Sequence, residues 1–171
     1  MKIYMSNIEQ IKNVSDLEKN LSEPELARYT KFVNKRRKLQ YLLSHSIVKN
    51  ATGENIITDK SGAPKIKSGF VSIAHKDNLV FVAISDSPVG IDIENASVER
   101  DFARQSELLG LPSTNDRNDF YKNFVEYESR YKFGKNANLV KVHFFESGKY
   151  LIGICSNKPE SDIHFVSSGA K

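Results

Sequence analysis

The chain contains one cysteine in 171 residues and no long apolar run. Cys155 alone cannot form a disulfide within the chain, which excludes a small scaffold held together by disulfides and suits a reducing compartment. No stretch approaches the roughly 18 consecutive apolar residues that a membrane-spanning helix needs. Met1 to Met5 lack the apolar region of a signal peptide. We therefore expect a cytoplasmic protein with no membrane segment.

Several motifs of common chemistries are also missing. The sequence has no Walker-type phosphate loop, no zinc motif and no serine nucleophile elbow. Its four histidines are not spaced as a pair of metal ligands. These absences disfavour the P-loop nucleotidases, the zinc enzymes and the α/β-hydrolases.

What the chain does contain is enough apolar material for a core and a moderate excess of positive charge. Hydrophobic residues make up 39% and charged residues 27% of the sequence, which fits one compact domain or two small halves sharing a core. The formal net charge of +4 favours anionic ligands or acidic protein partners. It does not by itself demand nucleic acid.

The most informative stretch is Val89-Gly-Ile-Asp-Ile-Glu94, in which apolar residues alternate with acids. In a strand, Asp92 and Glu94 would project from the same face about 7 Å apart. Two carboxylates placed in this way repel each other unless a positive charge lies between them. Mg²⁺ binds through one or two carboxylates together with substrate phosphates, so the pattern suggests magnesium-dependent phosphoryl chemistry.

A third acid and a lysine follow on a helix that we predict over residues 115–133. Glu128 and Lys132 are spaced i, i+4 and lie on one face of it. An exposed ion pair is the ordinary interpretation of such a pair. However, Glu128 also borders the predicted apolar stripe, so it could complete a cation site with Asp92 and Glu94 while Lys132 neutralises a phosphate. The stripe comprises Phe120, Phe124, Tyr127 and Tyr131.

The order of predicted elements repeats once along the chain. Strands are expected over residues 1–6, 70–75, 79–85, 89–94, 139–145, 150–155 and 163–166, and helices over 23–50, with a break near Asn34, 99–109 and 115–133. A turn is expected over 60–64, and the short links 76–78 and 86–88 predict two antiparallel hairpins.

This order predicts an α+β fold, a pseudo-dimer of two similar halves, 1–88 and 89–171. Each half would be a small antiparallel sheet packed on helices. The two would form one compact unit with the active site at the seam. A chain that contains both halves can build such a site alone, so we expect a monomer.

In the acidic strand, the later helix and their order along the chain, the sequence resembles the Sfp type of 4′-phosphopantetheinyl transferase. The family's Gly-Ile-Asp-x-Glu strand is matched by Gly90-Ile-Asp-Ile-Glu94. Its later helix is echoed by Phe124, in the place of a tryptophan, by Tyr127-Glu-Ser129 and by Lys132. Further similarities, in the same order as in the family, lie at Met1-Lys-Ile-Tyr4, Leu42 to Lys49, Gly62-Ala-Pro64 and Val71-Ser-Ile-Ala-His75. The resemblance thus covers nearly the whole chain, and its specific part is the Asp-x-Glu element.

The resemblance implies transfer of the 4′-phosphopantetheine group from coenzyme A to a serine of an apo acyl or peptidyl carrier protein, such as that of fatty-acid biosynthesis. Asp92, Glu94 and Glu128 would hold Mg²⁺ against the pyrophosphate of coenzyme A, and His75 would contact its 3′-phosphate. Glu128 would deprotonate the serine, directly or through a metal-bound water. Lys132 would stabilise the departing 3′,5′-ADP. The implied partners are coenzyme A and the carrier protein.

The sequence departs from the family pattern on the nucleotide side: Ala74 and Lys76 flank His75 where small hydroxyl residues are usual, and three further positions lack a cation. Ala63 stands where the family has a turn lysine, Tyr127 where it has a lysine before the helix glutamate, and Gln40 where relatives carry an arginine. Charge-assisted phosphate contacts are strong, so other cations would have to replace those lost. The candidates nearby are Arg28, Lys65 and Lys76, and also Arg36, Arg37 and Lys60.

Two other functions remain open. The three departures favour a catalytically weakened or inactive homologue that binds a carrier protein or coenzyme A. A weaker idea is nucleic-acid binding through Lys35-Arg-Arg-Lys38. That run falls on a helix whose opposite face is apolar, and aromatic interleaving is absent, so a solvated face is favoured and no nucleic-acid partner is expected.

Overall fold

The structure, a computed structural model, describes residues 1–60 and 62–167. Ser61, within the predicted turn 60–64, and residues 168–171, at the end of the predicted second half, lie outside this part of the chain. The helices are α1 (Val14–Lys19), α2 (Glu23–Tyr29), α3 (Lys35–Thr52), α4 (Phe102–Leu109) and α5 (Arg117–Phe133). The strands are β1 (Lys2–Asn7), β2 (Ile57–Thr58), β3 (Pro64–Lys65), β4 (Phe70–Lys76), β5 (Leu79–Ser85), β6 (Val89–Asn95), β7 (Val142–Ser147), β8 (Tyr150–Ser156) and β9 (His164–Ser167).

Two sheets lie between two long helices. The first sheet has the strand order β4-β5-β1-β9, and the second has the order β6-β8-β7 and is antiparallel throughout. Isoleucines of β6 and β8 pack with β1, β4 and β5 in one core between the sheets. Helix α3 covers the outer face of the first sheet, and α5 packs on β6 and β8. This arrangement confirms the α+β class with small sheets packed on helices.

The local signals for the first helices are confirmed. Ser22 and Glu25 form the capping box that opens α2, with Pro24 in its first turn. Asn34 accepts a hydrogen bond from the Arg37 N–H and begins α3, so the predicted break at this residue is real. Helix α3 ends at Gly53, whose φ of 76° lies in the left-handed region that glycine adopts without strain. These caps set where α2 begins and where α3 begins and ends.

Two glycines allow α5 to lie directly on the second sheet. A Cβ atom added at Gly90 would collide with the backbone of α5 at Ser129 and Phe133. One added at Gly153 would collide with the Val125 side chain. The small residues therefore bring the backbone of α5 onto β6 and β8, and this close approach places the helix side chains beside the acids of β6.

The predicted apolar stripe of α5 was wrong in half of its members. Tyr127 and Tyr131 are 47% and 75% exposed, whereas Tyr121, Val125 and Ser129 are buried. The reason is the glycine contact: the helix turns Val125 and Ser129, and not Tyr127 and Tyr131, toward the sheet. Sequence reasoning counted aromatic rings as core and overlooked Ser129 as a close-packing position.

The second predicted hairpin was also wrong. Residues 76–78 join β4 to β5 as an antiparallel hairpin, as expected. Residues 86–88 instead carry the chain from one sheet to the other, because β6 pairs with β8 and not with β5. Ile91 and Ile93 on β6 pack against the first sheet, so β6 cannot also be a member of it. Helix α1 and the small β2–β3 hairpin were not predicted.

The last strand joins the first sheet. Strand β9 pairs in parallel with β1, so the end of the described chain returns to its beginning. The first sheet is therefore not purely antiparallel, and the two sheets differ in strand number. Within residues 1–60 and 62–167, no helix is both long and apolar enough to cross a membrane.

Candidate functional site

The acids of β6 lie on the face of the second sheet that α5 covers. Asp92 is opposite Gly153 and Glu94 is opposite Leu151 in the pairing of β6 with β8. The sequence alternation therefore correctly placed both acids on one face. The Ile91 N–H donates to Ser72 Oγ at 3.1 Å, a bond that ties the free edge of β6 to β4. This contact brings the end of β4 beside the acids.

Asp92 is more buried than Glu94 and Glu128, with 8% of its surface exposed. Lys132 Nζ, from the last turn of α5, lies 2.6 Å from Asp92 Oδ1. The second oxygen, Oδ2, is buried and has no hydrogen-bond partner in the described part of the chain. Burial raises the pKa of Asp92 to about 6, against the lowering effect of Lys132 and with smaller increases from Glu94 and Glu128. Asp92 therefore has an unused acceptor in a low-dielectric position.

Glu94 is held by two cations. Lys76 Nζ, at the end of β4, lies 2.5 Å from Glu94 Oε2, and Arg100 Nη2 lies 3.8 Å from the same oxygen. The Arg100 guanidinium also stacks over the Tyr121 ring, 5.6 Å from its centroid. Sequence reasoning did not identify Arg100, since an arginine in a loop after a strand carries no pattern of its own. Lys76, predicted to bind coenzyme A, is instead paired with a predicted metal ligand.

Glu128 is half-buried on α5. Among the described residues it forms no ion pair, so the ordinary i, i+4 pair with Lys132 is not made. Lys132 reaches Asp92 instead. The charge of Glu128 is nevertheless near enough to raise the pKa of Asp92. The fold thus brings together Asp92, Glu94, Glu128 and Lys132, which the sequence indicated, and adds Lys76 and Arg100.

His75 lies near Lys132 but is not positively charged near pH 7. Arg37 contacts both nitrogens of its ring. Burial first, and then the charges of Arg37 and Lys132, lower the pKa of His75 to about 4. The ring is therefore neutral near pH 7, and Arg37 is the permanent positive charge beside it. Gln40 Oε1 accepts from Arg37 at 3.2 Å, and Gln40 Nε2 donates to the Asp77 carbonyl, so Gln40 links α3 to the β4–β5 turn.

Arg28 and Lys65 lie elsewhere. Arg28 donates to Thr58 Oγ1 at 3.0 Å, and Lys65 Nζ lies 3.0 Å from Asp59 Oδ2. No contact found in the described residues joins either of them to the acids of β6 and α5. The basic run from Lys35 to Lys38 does not form one surface, because Arg37 turns to His75 while Lys38 Nζ lies over the Tyr29 ring at 5.2 Å.

The donor chemistry suits Mg²⁺, whereas the arrangement of the acids does not yet form a ligand set. Carboxylate oxygens are the ligands that Mg²⁺ prefers, and Asp92 Oδ2 is a buried oxygen without a partner. In the part of the chain that the structure describes, however, no three His, Cys, Asp or Glu side chains converge as metal ligands. Lys132 and Lys76 supply the positive charge that a bound metal ion would supply. A bound Mg²⁺ would have to take their place on Asp92 and Glu94.

No protein-family model matches the chain, and no curated protein matches it.

Proposed function

We propose that the protein is a magnesium-dependent 4′-phosphopantetheinyl transferase that modifies a serine of an apo acyl or peptidyl carrier protein. The observation that carries the proposal is Asp92. It is a buried carboxylate with one oxygen on Lys132 and the other without a partner, beside Glu94 and within electrostatic reach of Glu128. The similarity of the sequence motifs to the Sfp type supports the same assignment, as does the placement of these residues under α5 and beside the end of β4. In the proposal, the halves 1–88 and 89–171 form a pseudo-dimer around this site.

Asp92, Glu94 and Glu128 would bind the metal and accept the proton during the transfer. Asp92 and Glu94, with Glu128, would hold the metal, which when bound neutralises charge on the pyrophosphate of coenzyme A. Glu128 accepts the proton of the carrier serine, since it is half-buried and not tied in an ion pair with a described residue. The serine oxygen then forms a bond to the β-phosphorus, and the bond from that phosphorus to the bridging oxygen breaks. The leaving group is 3′,5′-ADP.

The positively charged residues of the site would stabilise the leaving group and contact the phosphates of coenzyme A. Lys132 would exchange its contact with Asp92 for the negative charge that develops on 3′,5′-ADP, as positioned cations do in phosphoryl transfer. Arg37, beside His75, would contact the 3′-phosphate of coenzyme A. It would replace His75 in this contact, because the low pKa of His75 leaves the ring neutral. Arg28 and Lys65, bonded to Thr58 and Asp59, would contribute only if coenzyme A extends to that region.

A second candidate is a carrier-protein or coenzyme A binding module without catalysis. The observation that favours it is the pairing of both β6 acids with lysines, Asp92 with Lys132 and Glu94 with Lys76. In such a protein the lysines would permanently replace the metal. The site would then keep its shape without the ion on which the transfer depends.

Mass measurements of carrier proteins distinguish the transferase from the binding module. Apo carrier proteins of fatty-acid, polyketide and peptide synthesis are incubated with the chain, coenzyme A and Mg²⁺, and their masses are measured over time. The transferase proposal predicts that at least one gains the mass of one phosphopantetheine group. With Asp92→Asn, which keeps the size of the side chain, the rate should fall at least about a hundredfold. Asp86→Asn, at an exposed acid paired with Lys158, is the matched control and should keep the rate.

Two outcomes would overturn the proposal. Full activity in Asp92→Asn would remove the metal role of that residue. An unchanged mass for every carrier, together with measurable carrier binding by the chain, would establish the binding module instead.

A further inference from the structure

A cavity lies on the same sheet face, next to the acids: its lining residue Leu151 is directly opposite Glu94 in the pairing of β6 with β8. It has a volume of about 560 Å³ and opens between the first half of α5, the end of β6 and the β7–β8 hairpin. Its volume falls within the range of about 300–1,000 Å³ that is usual for small-molecule sites. None of Asp92, Glu94, Glu128 and Lys132 lines it. The cavity is therefore not part of the proposed transferase site.

The walls of the cavity are aromatic and fixed in place. Tyr121, Phe144 and Tyr150 all line it. The Tyr121 hydroxyl donates to the Val98 carbonyl at 2.8 Å, and the Tyr150 hydroxyl donates to Asp77 at 3.0 Å. Tyr121 is fully buried, so the apolar surface of the cavity comes from Phe144 and Tyr150. Because the Tyr150 hydroxyl is used outside the cavity, its ring needs no rearrangement. Such a wall suits a flat apolar group.

The charges around the cavity are mostly positive, and two of them lack a carboxylate partner. Lys122 Nζ lies 5.4 Å from the centre of the Phe144 ring, and Lys149 Nζ lies 5.4 Å from that of Tyr150. In the part of the chain that the structure describes, neither lysine forms an ion pair. Arg117 also lines the cavity and is bonded to Glu99, and Glu146 is its one acidic lining residue. Since Arg117 is neutralised by Glu99, the two lysines and Glu146 leave an excess of one positive charge, which favours an anion.

We infer that this cavity binds a small anion that carries a planar aromatic group, such as an aryl carboxylate, sulfonate or phosphate. The aromatic group packs against Phe144 and Tyr150. Its negative group lies between Lys122 and Lys149, which are already held over the rings and need little ordering to meet it. The lysines recognise the negative charge and the rings recognise the planar group. A neutral analogue of the same shape should therefore bind more weakly.

Fluorescence titration with 1-anilinonaphthalene-8-sulfonate and with its uncharged analogue N-phenyl-1-naphthylamine tests the inference. The sulfonate should bind the wild-type chain at one site more tightly than the neutral probe does. In the double variant Lys122→Gln and Lys149→Gln, the sulfonate affinity should fall at least about tenfold because two nearby cations are lost. The affinity of the neutral probe should change less than about threefold. The double variant Lys135→Gln and Lys141→Gln loses the same charge at exposed lysines outside the cavity lining and should bind both probes as the wild type does.

Several results would overturn the assignment. Equal loss of sulfonate affinity in the two double variants would show a non-specific charge effect. An unchanged affinity in the Lys122 and Lys149 variant would place the probe elsewhere. Displacement of the sulfonate by coenzyme A with simple competitive behaviour would place it in the proposed transferase site. Amide shifts at Ala96 and Gly148 in nuclear magnetic resonance spectra, absent from the cavity variant, are expected if the cavity is occupied.

Discussion

Burial disfavours the charged forms of Asp92 and His75 and so moves their pKa values in opposite directions. The pKa of Asp92 rises to about 6, and that of His75 falls to about 4. Between these values Asp92 gains a proton on folding, whereas His75 loses one. As the pH falls from 6 to 4, Asp92 therefore makes the fold more stable and His75 makes it less stable. The two effects offset each other in the wild-type chain.

Single variants should reveal the two opposing effects. Asp92→Asn removes a contribution to stability that is present below the unfolded-state pKa and is lost as the pH rises through about 6. Between pH 4 and pH 7 its free energy of unfolding should therefore change relative to wild type by on the order of 2 kcal/mol, in favour of the variant at the higher pH. His75→Gln should do the reverse and resist acid better than wild type. Urea unfolding at both pH values measures these differences.

The exposed His164 provides the control for this prediction, because His164→Gln should follow the wild-type profile. Parallel profiles for all four proteins would show that neither Asp92 nor His75 has the shifted pKa on which the prediction depends.

At the scale of single residues, the sequence predicted which acids belong together but not which cation each would meet. Alternation along a strand is a local property, so Asp92 and Glu94 could be placed on one face from the sequence alone. The pairs Lys132 with Asp92 and Lys76 with Glu94 join different elements. They depend on how β4, β6 and α5 pack, which no local pattern encodes. Arg100 was missed for the same reason.

At the scale of elements, the contact between α5 and the second sheet decides the position of Glu128 and Lys132. Gly90 lies under the backbone of α5, whereas Gly153 lies under the Val125 side chain. Backbone atoms cannot move without shifting the whole helix. At Gly153 the closest clash is with one side-chain carbon of Val125, and the nearest backbone atom, the Val125 carbonyl oxygen, is 3.2 Å from the added Cβ. The two glycines should therefore differ in their tolerance of a methyl group.

Replacing each glycine by alanine tests this difference. Gly90→Ala should lower the free energy of unfolding by at least about 3 kcal/mol, because α5 must move away from β6. Gly153→Ala should cost about 1–3 kcal/mol, the usual range for an overpacked core. Urea unfolding of both variants supplies the comparison. A smaller loss for Gly90→Ala than for Gly153→Ala would contradict the proposed close contact of the α5 backbone with β6.

Most element boundaries could be predicted because caps and alternation are local. Asn34, Gly53 and the Ser22–Glu25 capping box each marked a helix end correctly. The buried face of α5 could not be predicted, because the glycines that determine it lie on two other strands. Tyr127 and Tyr131 therefore appeared to be core residues from their spacing and are exposed in the fold.

At the scale of the whole molecule, the two sheets share one core. Ile3, Phe81 and Ala83 of the first sheet pack in the same cluster as Ile91 and Ile154 of the second. Neither sheet can lose its partner without exposing these side chains to water, so the two should unfold together.

We expect a single cooperative unfolding transition. The chain has no tryptophan and seven tyrosines, so tyrosine fluorescence and far-ultraviolet circular dichroism are suitable probes. Both should give the same urea midpoint. Two separated transitions would contradict the shared core and would indicate that the halves 1–88 and 89–171 fold independently.

The topology of the whole molecule was the least predictable feature. The pairing of β9 with β1 joins opposite ends of the described chain, and the link 86–88 crosses between the sheets. Strand propensity identifies each strand but does not specify its neighbour. The pairing of β6 with β8 and the packing of Ile91 on the first sheet together determine the link, and both are long-range choices.

The central proposal is that Asp92, Glu94 and Glu128 form a magnesium site for the pyrophosphate of coenzyme A. Isothermal titration calorimetry of coenzyme A into the wild-type chain and into Asp92→Asn, each with and without Mg²⁺, tests it most directly. We predict that Mg²⁺ tightens coenzyme A binding to the wild type at least about tenfold and has no effect on the variant. Equal affinities with and without Mg²⁺ in the wild type, or the same magnesium effect in Asp92→Asn, would contradict the claim.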